Sequence, residues 1–196
     1  MRTIINLMDH WRFTGPDGKT VPVQLPHTWN AQDGQDGGND YWRGSCTYRT
    51  SFSCPDFDPA SQQVWLQFDG VNASAEVLLN GKSVCKHDGG YSTFRAQVTD
   101  LLAEENVLTV LVDNSINDRV YPQKADFTFY GGIYRDVSLL IVSKDHIALD
   151  HFGGPGVRVT PVVRELQAKV KVDTLVEGSG EVAVSLLDAS GRLVAQ

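Results

Sequence analysis

VWLQFDGVNASAEVLLNGKSVCK, residues 64–86, is the stretch on which the fold turns. It holds two short apolar runs, Val64 to Phe68 and Ala75 to Leu79, and closes the second with Asn80-Gly81. Runs this short, rich in branched and aromatic side chains and bounded by Gly, Asn and Asp, have the punctuation of strands. Asn-Gly supplies the two positive φ angles of a tight primed turn, so Ser83 to Lys86 is expected to return antiparallel to Ala75–Leu79.

The same texture extends in both directions. Cys46 to Phe52 and Phe94 to Val98 read as strands, and Asp100 to Glu105 has room for one helical turn. Val107 to Asp113 is apolar on both faces, Val107, Thr109 and Leu111 against Leu108, Val110 and Val112, which predicts a central strand covered on both sides. Arg135 to Val142 supplies another long apolar strand, and helical periodicity is almost absent. Seven or so strands at this spacing predict an all-β sandwich or barrel over residues 1–146.

After His146 the pattern resets. The loop Gly153-Gly154-Pro155-Gly156 precedes the alternating runs Val157 to Val163 and Leu166 to Val176, and Asp188-Ala189-Ser190-Gly191 reads as a hairpin turn between Glu181–Leu187 and Arg192–Ala195. Residues 147–196 therefore look like the opening strands of an immunoglobulin-like sandwich. Such a domain takes about 100 residues, and roughly half that number follow His146. The expectation is an incomplete second domain, its strands paired with a neighbouring copy, laid on the first sandwich or poorly ordered; an independently closed domain there would contradict it.

Composition narrows the function. Seventeen Lys and Arg against 24 Asp and Glu give a net charge of −7 over 196 residues, which removes electrostatic support for nucleic acid. No run approaches the roughly 18 apolar residues of a membrane helix, and Met1 to Phe13 lacks the apolar centre of a secretion signal. Cys46, Cys54 and Cys85 are an odd, sparse set without CxxC spacing, fitting reduced core thiols in a cytoplasmic protein rather than a disulfide scaffold or zinc site. Asn72-Ala73-Ser74 matches a glycosylation acceptor but is common by chance.

The usual catalytic motifs are absent: no GxSxG, no GxGxxG after a strand, no GxxxxGK[ST], no HExxH. The five histidines are scattered, so no catalytic or metal-ligating residue is assigned. What stands out is Asp113 to Asp136, a long connection carrying Tyr121, Phe127, Phe129, Tyr130 and Tyr134 around Asp126. Long connections at a sandwich rim are more often functional than idle. Aromatic rings beside a carboxylate are the chemistry of sugar recognition, since ring faces pack on pyranose C–H surfaces and an ionised Asp accepts two hydroxyl hydrogen bonds. The plainer alternative, which residue types alone favour, is that the aromatics fill the sandwich end and Asp126 caps a turn.

A resemblance changes the balance. The ordered set Leu25-Pro26-His27-Thr28-Trp29-Asn30, Tyr48-Arg49-Thr50-Ser51-Phe52, Phe68-Asp69-Gly70-Val71, Leu78-Leu79-Asn80-Gly81-Lys82, Glu105-Asn106-Val107-Leu108-Thr109-Val110 and Gly131-Gly132-Ile133-Tyr134-Arg135-Asp136-Val137 resembles the N-terminal region of glycoside hydrolase family 2, the β-galactosidase group. The resemblance implies a galactose-binding-like jelly roll ahead of an immunoglobulin-like domain and a (β/α)8 barrel, the two catalytic glutamates of the retaining mechanism standing on the barrel. It implies that this chain is a fragment, inactive alone, and that Asp126, six residues before Gly132, is a substrate contact for a terminal β-galactoside. Arg135 and Asp136 would act as an ion pair or hydrogen-bonded anchor that positions Asp126. Trp29, Trp42 and Trp65 read as core and inter-domain packing. The polar loop with Asp33, Asp36, Gly37, Gly38, Asn39 and Asp40 could line the same cleft; as a calcium loop it is imperfect. No cofactor is expected in the fragment itself; a monovalent or divalent cation beside Asp126 would need barrel residues. β-Glucuronidase and β-mannosidase relatives are not separated by these motifs, and a homo-oligomer is allowed. Two rivals stay open, a free-standing carbohydrate-binding module and a protein-interaction domain.

Overall fold

Asn80 and Gly81 adopt φ of 52° and 81°, the pair of positive angles that a primed two-residue turn needs, and the flanking strands pair antiparallel with Leu79 opposite Lys82. That hairpin belongs to a computed structural model describing residues 2–31, 41–122, 128–149 and 153–196. The chain divides into two compact units, Met1–Ser143 and Lys144–Gln196.

The first unit contains β1 (Thr3–Asn6), β2 (Trp11–Thr14), β3 (Thr20–Val23), β4 (Ser45–Ser53), β5 (Gln62–Phe68), β6 (Val71–Asn72), β7 (Ser74–Leu79), β8 (Lys82–Asp88), β9 (Phe94–Gln97), β10 (Glu105–Asp113), β11 (Gly132–Ile133) and β12 (Val137–Ser143). A 3-10 turn, Thr99–Leu101, stands where the sequence allowed one helical turn. The strands form a four-stranded sheet, β1-β12-β5-β9, and a six-stranded sheet, β3-β2-β4-β10-β7-β8, while β6 and β11 make a short ladder of their own. The core lies between the two sheets. Val64, Leu66, Phe68, Val137, Leu139 and Ile141 from the first meet Tyr48, Val77, Leu79, Leu108, Val110 and Val112 from the second. The all-β sandwich expected from the strand punctuation is the architecture found.

One expectation is corrected. β10 is central in its sheet, between β4 and β7, but of its apolar residues only Leu108, Val110 and Val112 are buried; Val107 and Thr109 are half-buried and Leu111 is 40% exposed. Its outer face sits among Thr47, Arg49 and Glu76 on the paired strands, so it meets polar neighbours rather than a second layer. The strand buried along both faces is β12, with Leu140 and Val142 as buried as Leu139 and Ile141.

The second unit holds β13 (His146–Ile147), β14 (Val157–Arg164), β15 (Gln167–Thr174), β16 (Val176–Glu177), β17 (Leu186–Leu187) and β18 (Leu193–Ala195), arranged as three two-stranded ladders, β13-β16, β14-β15 and β17-β18. Of the strands after residue 156, β14 pairs with β15 and β17 with β18, while β16 pairs back with β13, which none of the expected arrangements included. Among the described residues the ladders do not close into a sandwich, and Val163 and Leu166 on the β14-β15 hairpin are 70% and 102% exposed. Asp188 and Gly191 close the predicted turn through backbone bonds to Arg192 and Asp188, but the strand before it covers only two residues rather than Glu181–Leu187.

Candidate functional site

Two asparagines with no exposed surface, Asn30 and Asn114, organise one rim of the first unit. A buried side-chain amide must place all of its hydrogen bonds or lose the desolvation it has suffered, so such a pair fixes whatever it is bonded to. Asn114 Nδ2 donates to Asn30 Oδ1 at 3.1 Å and to the Phe129 carbonyl at 3.1 Å, and its Oδ1 accepts from the Gly44 amide at 2.9 Å. Asn30 Oδ1 also accepts from the Gly131 amide at 2.7 Å, and its Nδ2 donates to the Trp42 carbonyl at 2.9 Å. The Phe129 amide donates to the Tyr41 hydroxyl at 3.3 Å, and the Arg43 guanidinium lies 5.6 Å from the Tyr41 ring centre and 5.1 Å from that of Phe129. Asn30, Tyr41 and Trp42 flank residues 32–40, and Phe129 follows residues 123–127. The bases of both segments are thus tied to one buried amide pair.

Beneath them, Gly131 and Gly132 pass where no side chain fits. A Cβ on Gly131 would lie 2.0 Å from Trp29 Cζ2, and one on Gly132 would lie 2.4 Å from the His27 carbonyl oxygen. His27 packs at a tilt against Phe13, 4.9 Å between ring centres, and places Nδ1 2.7 Å from the hydroxyl of Tyr48, which is fully buried. Burial holds the His27 pKa below the usual histidine value; burial does the same at His87, partly offset by its bond to the Gly89 carbonyl and the Asp88 charge. A histidine whose folded pKa is depressed binds its proton more readily in the unfolded chain. Its stabilising contribution is therefore complete above the unfolded pKa of about 6.5 and is lost as pH falls through the folded value. Thermal unfolding followed from pH 8 to pH 5 is expected to show a falling midpoint below about pH 6.5, and His27→Gln should flatten that fall; a midpoint that rises on acidification would contradict it.

Beside this rim lies a cleft of about 290 Å³ lined by Thr28, Asn72, Tyr91, Thr128, Tyr130 and Tyr134. Asn72 is 6% exposed and donates through Nδ2 to the Tyr130 carbonyl at 2.8 Å. The Tyr134 hydroxyl donates to the Gly90 carbonyl, and Arg135 Nη1 reaches the Tyr91 carbonyl at 3.1 Å, so the turn carrying Tyr91 is fastened to the strand entering β12.

Of the residues singled out by sequence, Asp126 and Phe127 lie outside the described residues, as does the polar loop from Asp33 to Asp40. Arg135 and Asp136 are exposed, and no ion pair joins them among the described residues. Arg135 instead bonds the carbonyls of Asp69 and Tyr91 and packs its guanidinium 5.4 Å from the Tyr134 ring centre, while the Asp136 carbonyl accepts from the Asp69 amide. Of the aromatics, Phe129 is buried, Tyr130 and Tyr134 line the cleft, and Tyr121 is 91% exposed. Trp65 is buried, and Trp29 and Trp42, partly buried against the core, pack edge to face on each other. The three cysteines are free, but only Cys46 is buried and Cys54 is exposed, so they are not uniformly core thiols. Sequence reasoning gave no role to Asn114, Asn72 or Tyr91; the signal for the first was an Asn directly after an apolar strand, at the start of the long connection. Among the described residues no three His, Cys, Asp or Glu side chains converge as a metal site.

Comparison with known proteins places this geometry. Residues 34–146 match the family described as glycosyl hydrolase 2 galactose-binding domain-like. A β-glucuronidase of Bacteroides fragilis is 37% identical over 201 residues, covering 96% of this chain and 29% of that enzyme, and a β-galactosidase of Thermoanaerobacter pseudethanolicus is 26% identical over 95% of this chain and 25% of its own length. The crystal structure of an FMN-binding β-glucuronidase from Facaelibacterium prausnitzii superposes with a TM-score of 0.89 at 37% identity, over 99% of this chain and 31% of that one. The chain thus spans under a third of the length of these relatives.

Proposed function

The chain belongs to glycoside hydrolase family 2, and on that premise we propose that its first unit is the non-catalytic, sugar-facing domain of a retaining glycosidase, delivering Asp126 to a substrate pocket completed by a barrel. The observation that carries the reading is the Asn30–Asn114 pair, which ties the base of the Asp126 segment to the base of residues 32–40. A carboxylate presented from a rigid rim can accept two sugar hydroxyls without ordering its own support on binding. The acid–base chemistry is assigned to the barrel; Asp17, Glu76, Asp113 and Asp188 are held below the ordinary carboxyl pKa, whereas a glycosidase acid needs a raised one. The Cys46 thiol, pushed up to about 12 by burial and by the Asp113 carboxylate, is no nucleophile at neutral pH.

The substrate in this reading is a terminal β-glycoside. The family resemblance implies a β-galactoside, although its motifs do not separate β-glucuronidase or β-mannosidase relatives; the β-glucuronidase names carried by both 37% identical relatives favour a β-glucuronide as the second reading. Comparing p-nitrophenyl β-D-galactoside with the β-D-glucuronide on the complete enzyme separates them. The free thiols support a cytoplasmic location.

Asp126→Asn in the complete enzyme keeps the side-chain shape and removes the charge. A loss in kcat/KM greater than about tenfold, about 1.4 kcal/mol of transition-state binding, is expected with an unchanged unfolding midpoint. Unchanged kinetics with lowered stability would instead identify Asp126 as a turn cap.

A further inference from the structure

We infer that the tyrosine-lined cleft beside Asn72 is a saccharide subsite that takes one uncharged pyranose ring. The inference concerns described residues only and stands whether or not Asp126 touches substrate. Three phenol rings converge on the cleft from two separate connections, Tyr91 from the turn between β8 and β9, Tyr130 and Tyr134 from the segment leading into β12. Tyr91 and Tyr130 are 59% and 41% exposed, an unusual outlay of aromatic surface for side chains that have a core to enter. Ring faces of this kind match the C–H face of a pyranose.

The polar groups are arranged for an exchangeable ligand. Asn72 has committed Nδ2 to the Tyr130 carbonyl, leaving Oδ1 as an acceptor at the floor of the cleft, against Gly90. The Tyr91 and Tyr130 hydroxyls and the Thr128 hydroxyl make no hydrogen bond among the described residues. One acceptor and three hydroxyls able to donate or accept suit a ring of hydroxyl groups better than an apolar guest. The walls are set in advance, because Tyr134 and Arg135 fasten the Gly90–Tyr91 backbone and Asn72 fastens Tyr130, so little ordering is left to pay on binding. The volume of about 290 Å³ is at the low end for ligand sites and fits one ring rather than a chain.

Neutrality follows from the lining. Among the described lining residues there is no carboxylate, amine or guanidinium, and the adjacent cation, Arg135, is engaged with the Asp69 and Tyr91 carbonyls. With a net charge of −7 on the chain, a uronate gains nothing here over a neutral sugar.

NMR titration of the 196-residue chain with methyl β-D-galactopyranoside tests this, with methyl β-D-glucuronide as the charged probe. The expected result is saturable shifts of the Tyr91, Tyr130 and Tyr134 ring resonances by the neutral glycoside. Tyr91→Ala should weaken binding at least about tenfold, equivalent to about 1.4 kcal/mol, and Tyr91→Phe should weaken it less, since the ring face is kept. Tyr130→Ala serves as a second variant should Tyr91→Ala disturb folding. Saturable shifts confined to residues outside the cleft, no shift at millimolar glycoside, unaltered binding in both alanine variants, or tenfold tighter binding of the glucuronide would each overturn the inference. Asp126 kinetics in the complete enzyme are read separately, so failure here leaves the arm reading standing and the reverse holds equally.

Discussion

Gly132→Ala is expected to cost about 3–5 kcal/mol of stability, or to prevent folding of the first unit. The residue has φ of +137°, which L side chains rarely adopt, so strain of about 1–3 kcal/mol arises before any contact is considered. The new methyl group would then meet the His27 carbonyl oxygen at 2.4 Å, the Tyr48 hydroxyl at 2.8 Å and the Thr28 Cα at 3.0 Å. Two of these are backbone atoms of a segment bonded to β11 through the His27 amide and Ile133 carbonyl, and the third belongs to a core side chain, so none can swing away. Overpacking of this sort adds about 1–3 kcal/mol. Gly81→Ala is the control: its φ of +81° is also positive, but nothing lies within 4 Å of the added Cβ, and the cost should stay near 1 kcal/mol. Chemical denaturation of the two variants measures the difference, and equal losses would mean that close packing at Gly132 contributes nothing.

Asn114→Leu should lose a similar amount by a different route. The leucine fills the volume but removes the hydrogen bonds that Asn114 makes to the half-buried Gly44 amide and to the Phe129 carbonyl, at about 1–3 kcal/mol apiece. Asn30 keeps the Gly131 amide and is the less affected member. A net loss of about 3–5 kcal/mol corresponds to a midpoint lowered by roughly 8–15 °C for a protein of this size. Asn114→Asp, which can still accept from Gly44 but cannot donate to Phe129, separates the two halves of the network. In the complete enzyme, Asn114→Asp should also lower kcat/KM at temperatures where the variant remains folded, because the base of the Asp126 segment loses its tie. A leucine variant as stable as the parent would show that the amide pair does not hold the rim.

These expectations rest on features the sequence shows unequally. The β7–β8 hairpin was legible because its signal is local: two strands and the only dipeptide between them that favours two positive φ angles. Burial was less legible. β10 and β12 each carry five apolar residues, on both faces, yet only β12 is covered on both, because coverage depends on the layer a strand enters as well as on its own residues. The Asn30–Asn114 bond joins positions 84 residues apart, and a lone polar residue at a strand end gives no hint of a partner at that distance. Tyr91 was overlooked for the same reason, since its cleft partners come from a connection about forty residues later. Asp126 was found through the spacing of the Gly-Gly-Ile-Tyr-Arg-Asp motif, which the resemblance gave meaning; its residue type alone pointed to a turn cap.

The most direct measurement is the separation between the Asp126 carboxylate and the nearest sugar hydroxyl in a crystal structure of the complete enzyme with a trapped glycosyl intermediate. A sugar-facing arm predicts a hydrogen-bonded distance of roughly 2.5–3.0 Å. A carboxylate turned into the sandwich and bonded to its own backbone amides, with no sugar in reach, would contradict it.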